Sequence, residues 1–252
     1  MNLGLKGKTV LVNGGTKGLG RAVCDVMAGE GANLIVVSRN GQEGMDCAAA
    51  LKTKHGIDAI PIAADLSRRE DIDRIFAISL KYYETVDVLV NSAAVWPQAY
   101  VVDMEEADFR RTLDMNLVAP FIMCKLFVKH LIAHNKKGKI VNIVSQAAFH
   151  GATTGHAHYA ASKGGLVSFT ISLAREMARY GINVNAVAPG IMDTPMIRAA
   201  IKEKGDYYKD RIPLGRVAVP EEVAYGVVFL ASDKADYLTG ITLDATGGML
   251  MR

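Results

Sequence analysis

Cysteine is scarce in this sequence, which has three in 252 residues: Cys24, Cys47 and Cys124. Their odd number, wide spacing and apolar or helical surroundings favour reduced thiols in the core over a disulfide framework. His156 and His158 lie two residues apart, but no third ligand follows at metal-site spacing. We therefore expect no bound metal, and we interpret the two histidines as loop or substrate contacts.

An excess of charge of one sign is also missing. The chain carries 29 Lys and Arg against 26 Asp and Glu, and its short basic stretch covers residues 136–139. So balanced a chain is not expected to bind nucleic acid. The first eight residues lack the apolar core of a signal peptide, and no run of about 18 apolar residues is present. These absences predict no membrane span and a cytoplasmic location.

Hydrophobic residues make up 50% of the chain, enough to bury a sizeable core in one α/β domain over residues 1–252. Short apolar runs alternate with amphipathic segments, of which the clearest run from about 105 to 133 and from about 157 to 180. Seven runs are strand candidates: Val10–Val12, Leu34–Val37, Ile60–Ile62, Val88–Val90, Ile140–Val144, Val184–Val187 and Ile241–Ala245.

Six of the strand candidates are continuously apolar or β-branched, and the seventh is short and contains Pro61. Continuous apolar runs are typical of parallel strands that helices cover on both faces. The alternation of strands and helices therefore predicts a doubly wound parallel sheet. In such a sheet, ligands bind beyond the carboxyl ends of the strands.

A glycine-rich turn follows the first strand candidate and leads into a helical pattern at about Gly18. Glycines at positions 14, 18 and 20 permit positive φ and a close approach of the backbone to a pyrophosphate. The helix N-terminus adds free N–H groups and a partial positive charge. The spacing is G-x-x-x-G-x-G, not the commoner G-x-G-x-x-G, but its strand-to-helix context favours dinucleotide binding over a plain turn.

The end of the second strand candidate indicates which dinucleotide is bound. NAD-binding folds usually place an Asp or Glu there, about 20 residues beyond the glycines, to bind the ribose 2′-hydroxyl. This chain has Ser38-Arg39-Asn40 instead. The Arg39 guanidinium can bind a 2′-phosphate, and Lys17 adds a second cation. The pattern favours NADP(H) over NAD(H), although Arg39 could also be an ordinary solvated loop residue.

Tyr159 and Lys163 lie four residues apart on a predicted helix, so the phenol and the ammonium share one face. A cation close to a phenol can lower its pKa from about 10 by roughly 1 to 3 units. The pair thus has the chemistry of a proton donor and acceptor. Taken alone, the same spacing also fits a packed ring beside a solvated lysine.

Together with further matches, these features resemble the short-chain dehydrogenase/reductase family over almost all 252 residues. The resemblance rests on the glycine turn, the Tyr-x-x-x-Lys pair, Asn116 in a predicted helix and segments that follow successive strands: Asp65-Leu66, Asn91-Ser92-Ala93-Ala94, Ser145 and Pro189-Gly190-Ile191-Met192-Asp193-Thr194. It implies a Rossmann-like single domain with a seven-stranded parallel sheet, and a homotetramer in which the two long helices form one interface.

The resemblance also implies the role of each catalytic residue. Tyr159 would exchange a proton with the substrate oxygen, Lys163 would lower the phenol pKa and hold the nicotinamide ribose, and Ser145 would stabilise charge on that oxygen. Asn116, at a local irregularity of its helix, would hold a water that links Lys163 to solvent. The implied cofactor contacts are Gly14, Thr16, Lys17, Gly18, Leu19, Gly20, Ser38, Arg39, Asp65, Leu66, Asn91, Ala93, Tyr159, Lys163, Pro189, Gly190, Ile191 and Thr194.

Three departures from the family pattern stand out. Asn13 replaces the usual Thr, and its amide can make the same kind of hydrogen bond to the neighbouring strand. Ser92 and Ala94 replace Asn and Gly, and the Ala94 methyl narrows the space beside the cofactor. Ser145 and Tyr159 are separated by 13 residues, one more than is common in related reductases. That loop is expected to shape the substrate pocket.

Candidate pocket residues come from three segments and are mostly apolar or aromatic: Val95, Trp96, Ala147, Phe149, Met192 and Met196. A lid is expected over about 190–214. Such walls suit a small or medium hydrophobic ketone, although each of these residues could instead belong to the core.

The leading hypothesis is an NADPH-dependent carbonyl reductase that also works in reverse as an alcohol dehydrogenase on a small-molecule substrate. A second candidate is reduction of 3-oxoacyl groups on acyl carrier protein, since four basic residues could form a docking patch: Lys129, Lys136, Lys137 and Arg179. A third, from another class, is a dinucleotide-binding regulator without turnover.

Overall fold

The computed structural model contains a seven-stranded parallel sheet and describes residues 2–152, 154–195, 197–203 and 205–251. The strands lie in the order β3-β2-β1-β4-β5-β6-β7. Their bounds are Thr9–Asn13 (β1), Asn33–Ser38 (β2), Ala59–Ala63 (β3), Val88–Asn91 (β4), Gly138–Ile143 (β5), Ile182–Pro189 (β6) and Thr242–Ala245 (β7). The predicted doubly wound α/β fold is confirmed.

Helices pack on both faces of this sheet. The α-helices are Gly18–Gly29 (α1), Gly41–His55 (α2), Arg69–Tyr82 (α3), Glu106–Leu113 (α4), Ala119–Ala133 (α5), Ala147–His150 (α6), Ala157–Met177 (α7), Arg198–Glu203 (α8), Gly205–Lys209 (α9) and Pro220–Ala231 (α10). A π-helical segment, Asp114–Val118, joins α4 to α5, and 3-10 turns lie at Val101–Asp103, Ala178–Tyr180 and Asp233–Ala235. Both long helices predicted from the sequence are present.

The central strands β1, β4 and β5 are buried on both faces, because alternate side chains enter different cores. Val10 and Val12 pack with α1 and α10 on one face, whereas Leu11 packs with α3 and α5 on the other. All three side chains are fully buried. This two-sided burial explains why the strands are continuous apolar runs in the sequence and not an alternating pattern.

Pro61 does not interrupt the third strand, because β3 lies at the edge of the sheet. β3 pairs with β2 alone, with Pro61 opposite Val36. A proline cannot donate a backbone hydrogen bond, and an edge strand has one side on which no donor is needed.

The continuous helix formed by α4, the π-helical segment and α5 is a core element. Its 28 residues are long and apolar enough to cross a membrane, but half of the apolar stretch is buried inside the protein. Met123, Phe127 and Leu131 are fully buried in the core on the α3 side of the sheet. The helix owes its apolar character to this packing.

The order of the strands decides where a ligand can bind. The chain first builds β1, β2 and β3 outward in one direction and then continues from β4 on the other side of β1. The connections that leave β1 and β4 therefore diverge and open a crevice at the carboxyl ends of these strands.

Candidate active site

A cavity of about 890 Å³ opens at this crevice. Its walls come from the segments that follow the strands β1 to β6, together with the first two turns of α7 and parts of residues 190–214. It is large enough for an extended ligand. The glycine turn and Arg39 mark its cofactor end, and Ser145 and Tyr159 mark its substrate end.

The turn after β1 has no room for a side chain at Gly14 or Gly20. Gly14 has a φ of +74°, and a Cβ there would lie 2.9 Å from the backbone of Ala93. A Cβ on Gly20 would lie 2.1 Å from the carbonyl oxygen of Gly14. No side chain caps the N-terminus of α1. The turn thus leaves uncapped N–H groups beside the cavity, as a pyrophosphate requires.

Most residues predicted to contact the cofactor line this one cavity. They are Gly14, Thr16, Lys17, Gly18, Leu19, Gly20, Ser38, Arg39, Leu66, Ala93, Tyr159, Lys163, Pro189, Gly190, Ile191 and Thr194. These residues lie at the carboxyl ends of five different strands and on α7, so they are neighbours only in the folded sheet. A nicotinamide dinucleotide fits these residues by the glycine turn and by the extent of the groove.

The corner of the cavity expected to hold a 2′-phosphate contains an acid that the sequence reasoning missed. Arg39 is exposed there, and Lys17 Nζ lies 2.8 Å from Glu43 Oε1. Glu43 lies in the first turn of α2, whose N-terminus is capped by the side chain of Asn40. The Asn-x-x-Glu spacing is a known helix-start pattern and could have placed Glu43 here.

Two predicted cofactor contacts lie outside the residues that line the cavity. The Asp65 carboxylate accepts hydrogen bonds from Ser67 N at 3.0 Å and Ser67 Oγ at 2.8 Å, and these bonds lower the pKa of Asp65. The Asn91 side chain is buried between strands. The Asn91 amide is already bonded within the protein, whereas Asp65 lies close enough to Arg39 for that guanidinium to lower its pKa as well. Both cofactor contacts stay predictions.

Asn91 is the centre of a buried chain of amides across three neighbouring strands. Asn13 Nδ2 donates to Asn91 Oδ1 at 2.6 Å, and Asn91 Nδ2 donates to Asn142 Oδ1 at 2.7 Å. Asn142 Nδ2 continues to Thr170 Oγ1 on α7 at 2.9 Å. Asn13 Oδ1 also accepts from the backbone of Ser92 at 2.9 Å. The predicted strand-bridging role of Asn13 is confirmed, and the chain fixes the start of the β4–α4 loop.

Ser145 and Tyr159 meet at the other end of the cavity. Burial raises the pKa of the Tyr159 phenol above its usual 10.0, and the interaction with the Ser145 hydroxyl lowers it in part. The prediction that this phenol has a lowered pKa is therefore wrong, because loss of hydration disfavours the phenolate by more than its neighbours stabilise it. The Ser145 hydroxyl also accepts a hydrogen bond from Ala147 N at 3.2 Å.

Lys163 lies one helical turn beyond Tyr159, on the same face of α7. Its Nζ donates to the carbonyl oxygen of Ile143 at 2.7 Å and lies 5.8 Å from the centroid of the Tyr159 ring. The side chain is almost fully buried, and this burial lowers the pKa of Lys163 from 10.5 to about 8. The ammonium therefore titrates in a range where it can exchange protons.

Asn116 lies in the π-helical segment, so the predicted irregularity of its helix is confirmed. Its Oδ1 accepts from Val95 N at 2.9 Å, and its Nδ2 donates to Val95 O at 2.9 Å and to Ser162 Oγ at 3.1 Å. The amide is fully buried. It therefore holds the β4–α4 loop against α7, while its role in a water relay stays a prediction.

Four of the predicted pocket residues line the substrate end: Val95, Trp96, Ala147 and Met192. Phe149 does not, because it packs against a small core cluster that contains Val144 and Leu166. Its assignment to the pocket is therefore wrong. Met196 lies outside the described residues.

The substrate end also contains polar side chains. They are Gln146, His150, Thr154, His156, Tyr207, Tyr208 and Arg211. His156 was interpreted from the sequence as a loop or substrate contact, and its place three residues before Tyr159 puts it on the same side of α7. The sequence reasoning did not name the others as pocket residues, because they come from the β5–α7 loop and from residues 205–211, whose positions depend on long-range packing.

A dinucleotide groove that ends at a Ser, Tyr and Lys cluster defines a nicotinamide-dependent oxidoreductase that acts on CH–OH groups. A family model described as "Enoyl-(Acyl carrier protein) reductase" matches residues 14–250. The chain belongs to the short-chain dehydrogenase/reductase family.

Two relatives of similar length align with almost the whole of this chain. A 3-oxoacyl-[acyl-carrier-protein] reductase of Aquifex aeolicus is 36% identical over 249 residues, which cover 99% of this chain and all of the relative. The enzyme of the same name from Thermotoga maritima is 34% identical and is covered over 99% of its length, against 98% of this chain. Both alignments run through the glycine turn and the catalytic segments.

Two solved structures superpose on this fold with a TM-score of 0.94. L-sorbose reductase from Gluconobacter frateurii, complexed with NADPH and L-sorbose, is 27% identical, and both chains are covered completely. A putative gluconate dehydrogenase from Agrobacterium tumefaciens is 33% identical, with 100% of this chain and 99% of that chain covered.

Proposed function

We propose that this protein is an NADPH-dependent reductase of small or medium ketones and aldehydes, which also oxidises the corresponding secondary alcohols. One observation carries the proposal: a single cavity has the glycine turn and Arg39 at one end and Ser145, Tyr159 and Lys163 at the other. NADPH in the solved sorbose reductase and the names of the sequence relatives support the same chemistry.

Each residue of the substrate end has a distinct task in this reaction. The bound dinucleotide supplies the hydride. Ser145 donates a hydrogen bond to the carbonyl oxygen, which stabilises the negative charge that develops on it. The raised pKa keeps Tyr159 protonated, so the phenol can give its proton to that oxygen. Lys163, buried beside the ring, is placed to return a proton to Tyr159.

Replacing Tyr159 with Phe tests this assignment. Turnover of a panel of ketones and aldehydes with NADPH should fall by at least about a thousandfold, because the proton donor is lost. NADPH binding, followed by its fluorescence, should change little, since the ring remains. Phe149→Leu is the matched control, because Phe149 lies outside the cavity lining. Substantial turnover by the Tyr159→Phe protein would remove Tyr159 from this role.

Preference for NADPH can be tested at Arg39 alone. Ser38 is almost fully buried and its Oγ donates to Asn40 O at 2.8 Å, so a change there would disturb the loop as well as the charge. Arg39→Leu should lower kcat/KM for NADPH by about tenfold to a hundredfold and affect NADH much less. Arg179→Leu, shortly before β6 at the amino ends of the strands, is the control. An unchanged NADPH to NADH ratio would contradict the assignment.

A second candidate function is reduction of 3-oxoacyl groups on acyl carrier protein, which the names of the sequence relatives favour. Its proposed docking residues, Lys129, Lys136, Lys137 and Arg179, are all exposed. Lys137 directly precedes β5, and Arg179 lies shortly before β6, so the patch is at the amino ends of these strands. The cavity opens at their carboxyl ends, so a carrier docked there would have to serve the cavity of a neighbouring subunit.

Carrier dependence can be measured directly. If the second function holds, kcat/KM for a 3-oxoacyl group on the carrier should exceed that for the same group on a short thioester by at least about tenfold. Exchanging Lys136 and Lys137 for Glu should then remove the difference, because it reverses the charge of the patch. Equal rates on both substrates would exclude the second function.

The third candidate is a dinucleotide-binding regulator without turnover. It would be supported if the purified protein bound NADPH but oxidised none of it across the panel. Ser145, Tyr159 and Lys163 in one cavity argue against this class.

Homotetramer formation and a cytoplasmic location are further parts of the proposal. Several large apolar side chains are exposed on the two long helices: Phe109, Val118, Phe121 and Ile171. Phe121 also packs edge-on against Phe169, with ring centroids 5.8 Å apart. An exposed apolar face shared by α4, α5 and α7 suits an interface between copies. Light scattering that gives a monomer would contradict it.

A further inference from the structure

His156 occupies a special position at the substrate end. It directly precedes α7 and lies three residues before Tyr159. The side chain is almost fully buried, with 3% of its surface exposed, yet it lines the same cavity as Ser145 and Tyr159. The mechanism proposed above does not use it.

The orientation of the His156 ring is fixed from two sides. The ring stacks on Trp96, with centroids 4.0 Å apart and planes inclined by 17°. Its Nδ1 lies 2.7 Å from the carbonyl oxygen of Pro97. A carbonyl oxygen can only accept a hydrogen bond, so Nδ1 carries the proton in this contact. In the neutral ring Nε2 is then left with a lone pair and acts as an acceptor.

The imidazole stays neutral near pH 7. Burial lowers the pKa of His156 below its usual 6.5, and the Pro97 contact opposes this shift only in part. The pKa of the neighbouring His158 is also lowered, by burial first and then by His156. The acceptor character of Nε2 therefore persists at neutral pH.

The loops that carry this ring are tied to each other. Ala99 N donates to Gly155 O at 2.8 Å, and Gln98 Nε2 donates to Thr154 O at 2.9 Å. Asn116 holds Val95 on the same β4–α4 loop. Trp96 and His156 thus form one wall, held by hydrogen bonds on both flanks. Hydrogen bonds of this kind hold a binding residue in a fixed geometry, which a site that selects among substrates requires.

His156 Nε2 has no hydrogen-bond partner within the described part of the chain. Both ring nitrogens of His158 also lack a partner, but they are inaccessible to solvent, whereas His156 Nε2 is not among the inaccessible atoms. Because His156 is almost fully buried and borders the cavity, the cavity is where its Nε2 remains accessible. An acceptor held in this way beside the reacting group recognises a donor on the substrate.

We propose that His156 is a specificity-determining residue that accepts a hydrogen bond from a hydroxyl group close to the substrate carbonyl. The substrate class is then the hydroxylated ketones, such as ketoses, and the corresponding polyols. The inference rests on the proposed reductase function and narrows it. Gln146, His150 and Arg211 extend the polar lining of the same end, which suits a substrate with more than one hydroxyl group.

A pair of ketones that differ by one hydroxyl group tests the proposal. We compare 1-hydroxy-2-butanone with 2-butanone, and 2-hydroxycyclohexanone with cyclohexanone, with NADPH as the reductant. The wild-type protein should favour the hydroxylated member of each pair by at least about tenfold in kcat/KM, because the parent ketone leaves Nε2 unpaired.

His156→Phe keeps a ring to stack on Trp96 but removes the acceptor. It should lower kcat/KM for the hydroxylated ketone by about tenfold more than for the parent ketone, mainly through KM. His156→Gln, which retains an acceptor, should restore part of the preference. His134→Phe makes the same exchange at an exposed position at the end of α5, outside the cavity, and should leave the ratio between the two ketones unchanged. NADPH binding reports whether each variant is folded.

The outcomes separate the two proposals. Equal losses on both ketones in His156→Phe, or a wild-type protein with no preference, would overturn the inference and leave the reductase function standing. If His156→Phe does not fold, the wild-type preference and the His156→Gln ratio decide instead. No turnover of any ketone in either pair would overturn both. A preference for 3-oxoacyl thioesters over hydroxylated ketones would likewise overturn the substrate class.

Discussion

Lys17 Nζ lies 2.8 Å from Glu43 Oε1 at the corner of the cavity where Arg39 is exposed. The two side chains belong to the first glycine turn and to the first turn of α2, which the fold brings together across 26 residues. Both are partly exposed, so the pair contributes little to stability, about 0 to 1 kcal/mol. The pair matters for cofactor binding, because the Glu43 carboxylate binds Lys17 and lines the same cavity as Arg39. Lys17 and Arg39 are the two cations that would bind a 2′-phosphate.

Exchanging Glu43 for Gln should strengthen the preference for NADPH. Loss of the carboxylate frees Lys17 and removes a negative charge that repels the phosphate, so kcat/KM for NADPH relative to NADH should rise about threefold to tenfold. The Asn40 cap persists, because it uses the backbone N–H of residue 43. Glu84→Gln, exposed shortly before β4 at the amino ends of the strands, is the control. A falling ratio would mean that Glu43 orients Lys17 productively.

The pH dependence of reduction should reflect Lys163. Its pKa of about 8 means that the ammonium is protonated below pH 8 and neutral above it. Reduction takes up a proton, so kcat at saturating NADPH should fall as the pH rises through about 8, while alcohol oxidation should rise. Lys163→Arg should abolish this inflection, since a guanidinium stays charged. An inflection that persists in Lys163→Arg would assign it to another group.

The same shift affects folding in a defined direction. The pKa of Lys163 is lower in the folded protein than its ordinary 10.5, so burial of the charged form opposes folding. The free energy of unfolding is therefore highest above a pH of about 10.5, where Lys163 is neutral in both states, and it decreases as the pH falls through about 8.

A methyl group at position 20 should block the cofactor turn. In Gly20→Ala the Cβ would lie 2.1 Å from Gly14 O, and backbone atoms cannot move aside cheaply. We expect at least a tenfold weaker NADPH affinity, measured by fluorescence titration. Gly29→Ala, in the same helix α1, meets only the His55 ring at 3.7 Å and should bind NADPH normally. Equal affinity in the two variants would rule out the close approach described above.

The buried amide chain should contribute strongly to stability. Asn91→Ala removes the partner of Asn13 Nδ2 and of Asn142 Oδ1 in a site without access to water. Each unpaired group costs about 1 to 3 kcal/mol, so the free energy of unfolding in urea should fall by roughly 2 to 5 kcal/mol. Asn33→Ala is the control, since Asn33 makes a single exposed bond to Asp58 N. Similar losses in both would contradict the network.

Much of the fold could be predicted because its signals are local. The apolar run of β1, the glycines that follow it and the helical pattern of α7 each need only neighbouring residues to be recognised. Even Pro61 was compatible with a strand, although only the order of strands shows that β3 is at the edge. An irregularity of the helix at Asn116 was expected from the family resemblance and not from spacing, and the structure shows that it is a π-helical turn.

The errors in the site come from contacts over long distances. Phe149 looked like a wall residue because it follows Ser145 closely, yet it packs into a core cluster. The Tyr159 phenol was expected to have a lowered pKa from the nearby Lys163, but the burial of the phenol itself raises its pKa. Burial depends on every element packed around a group, so sequence spacing alone does not provide it.

The sequence by itself determined the class of this protein: a parallel sheet, a glycine turn for a dinucleotide, and a Tyr and Lys one helical turn apart. These follow from chain periodicity and backbone sterics, which act over a few residues. The tertiary structure alone decided that Glu43 stands beside Lys17 and that His156 stacks on Trp96 with a free acceptor beside Tyr159. Those relationships join segments 26 and 60 residues apart, because loops at the carboxyl ends of different strands converge on one cavity.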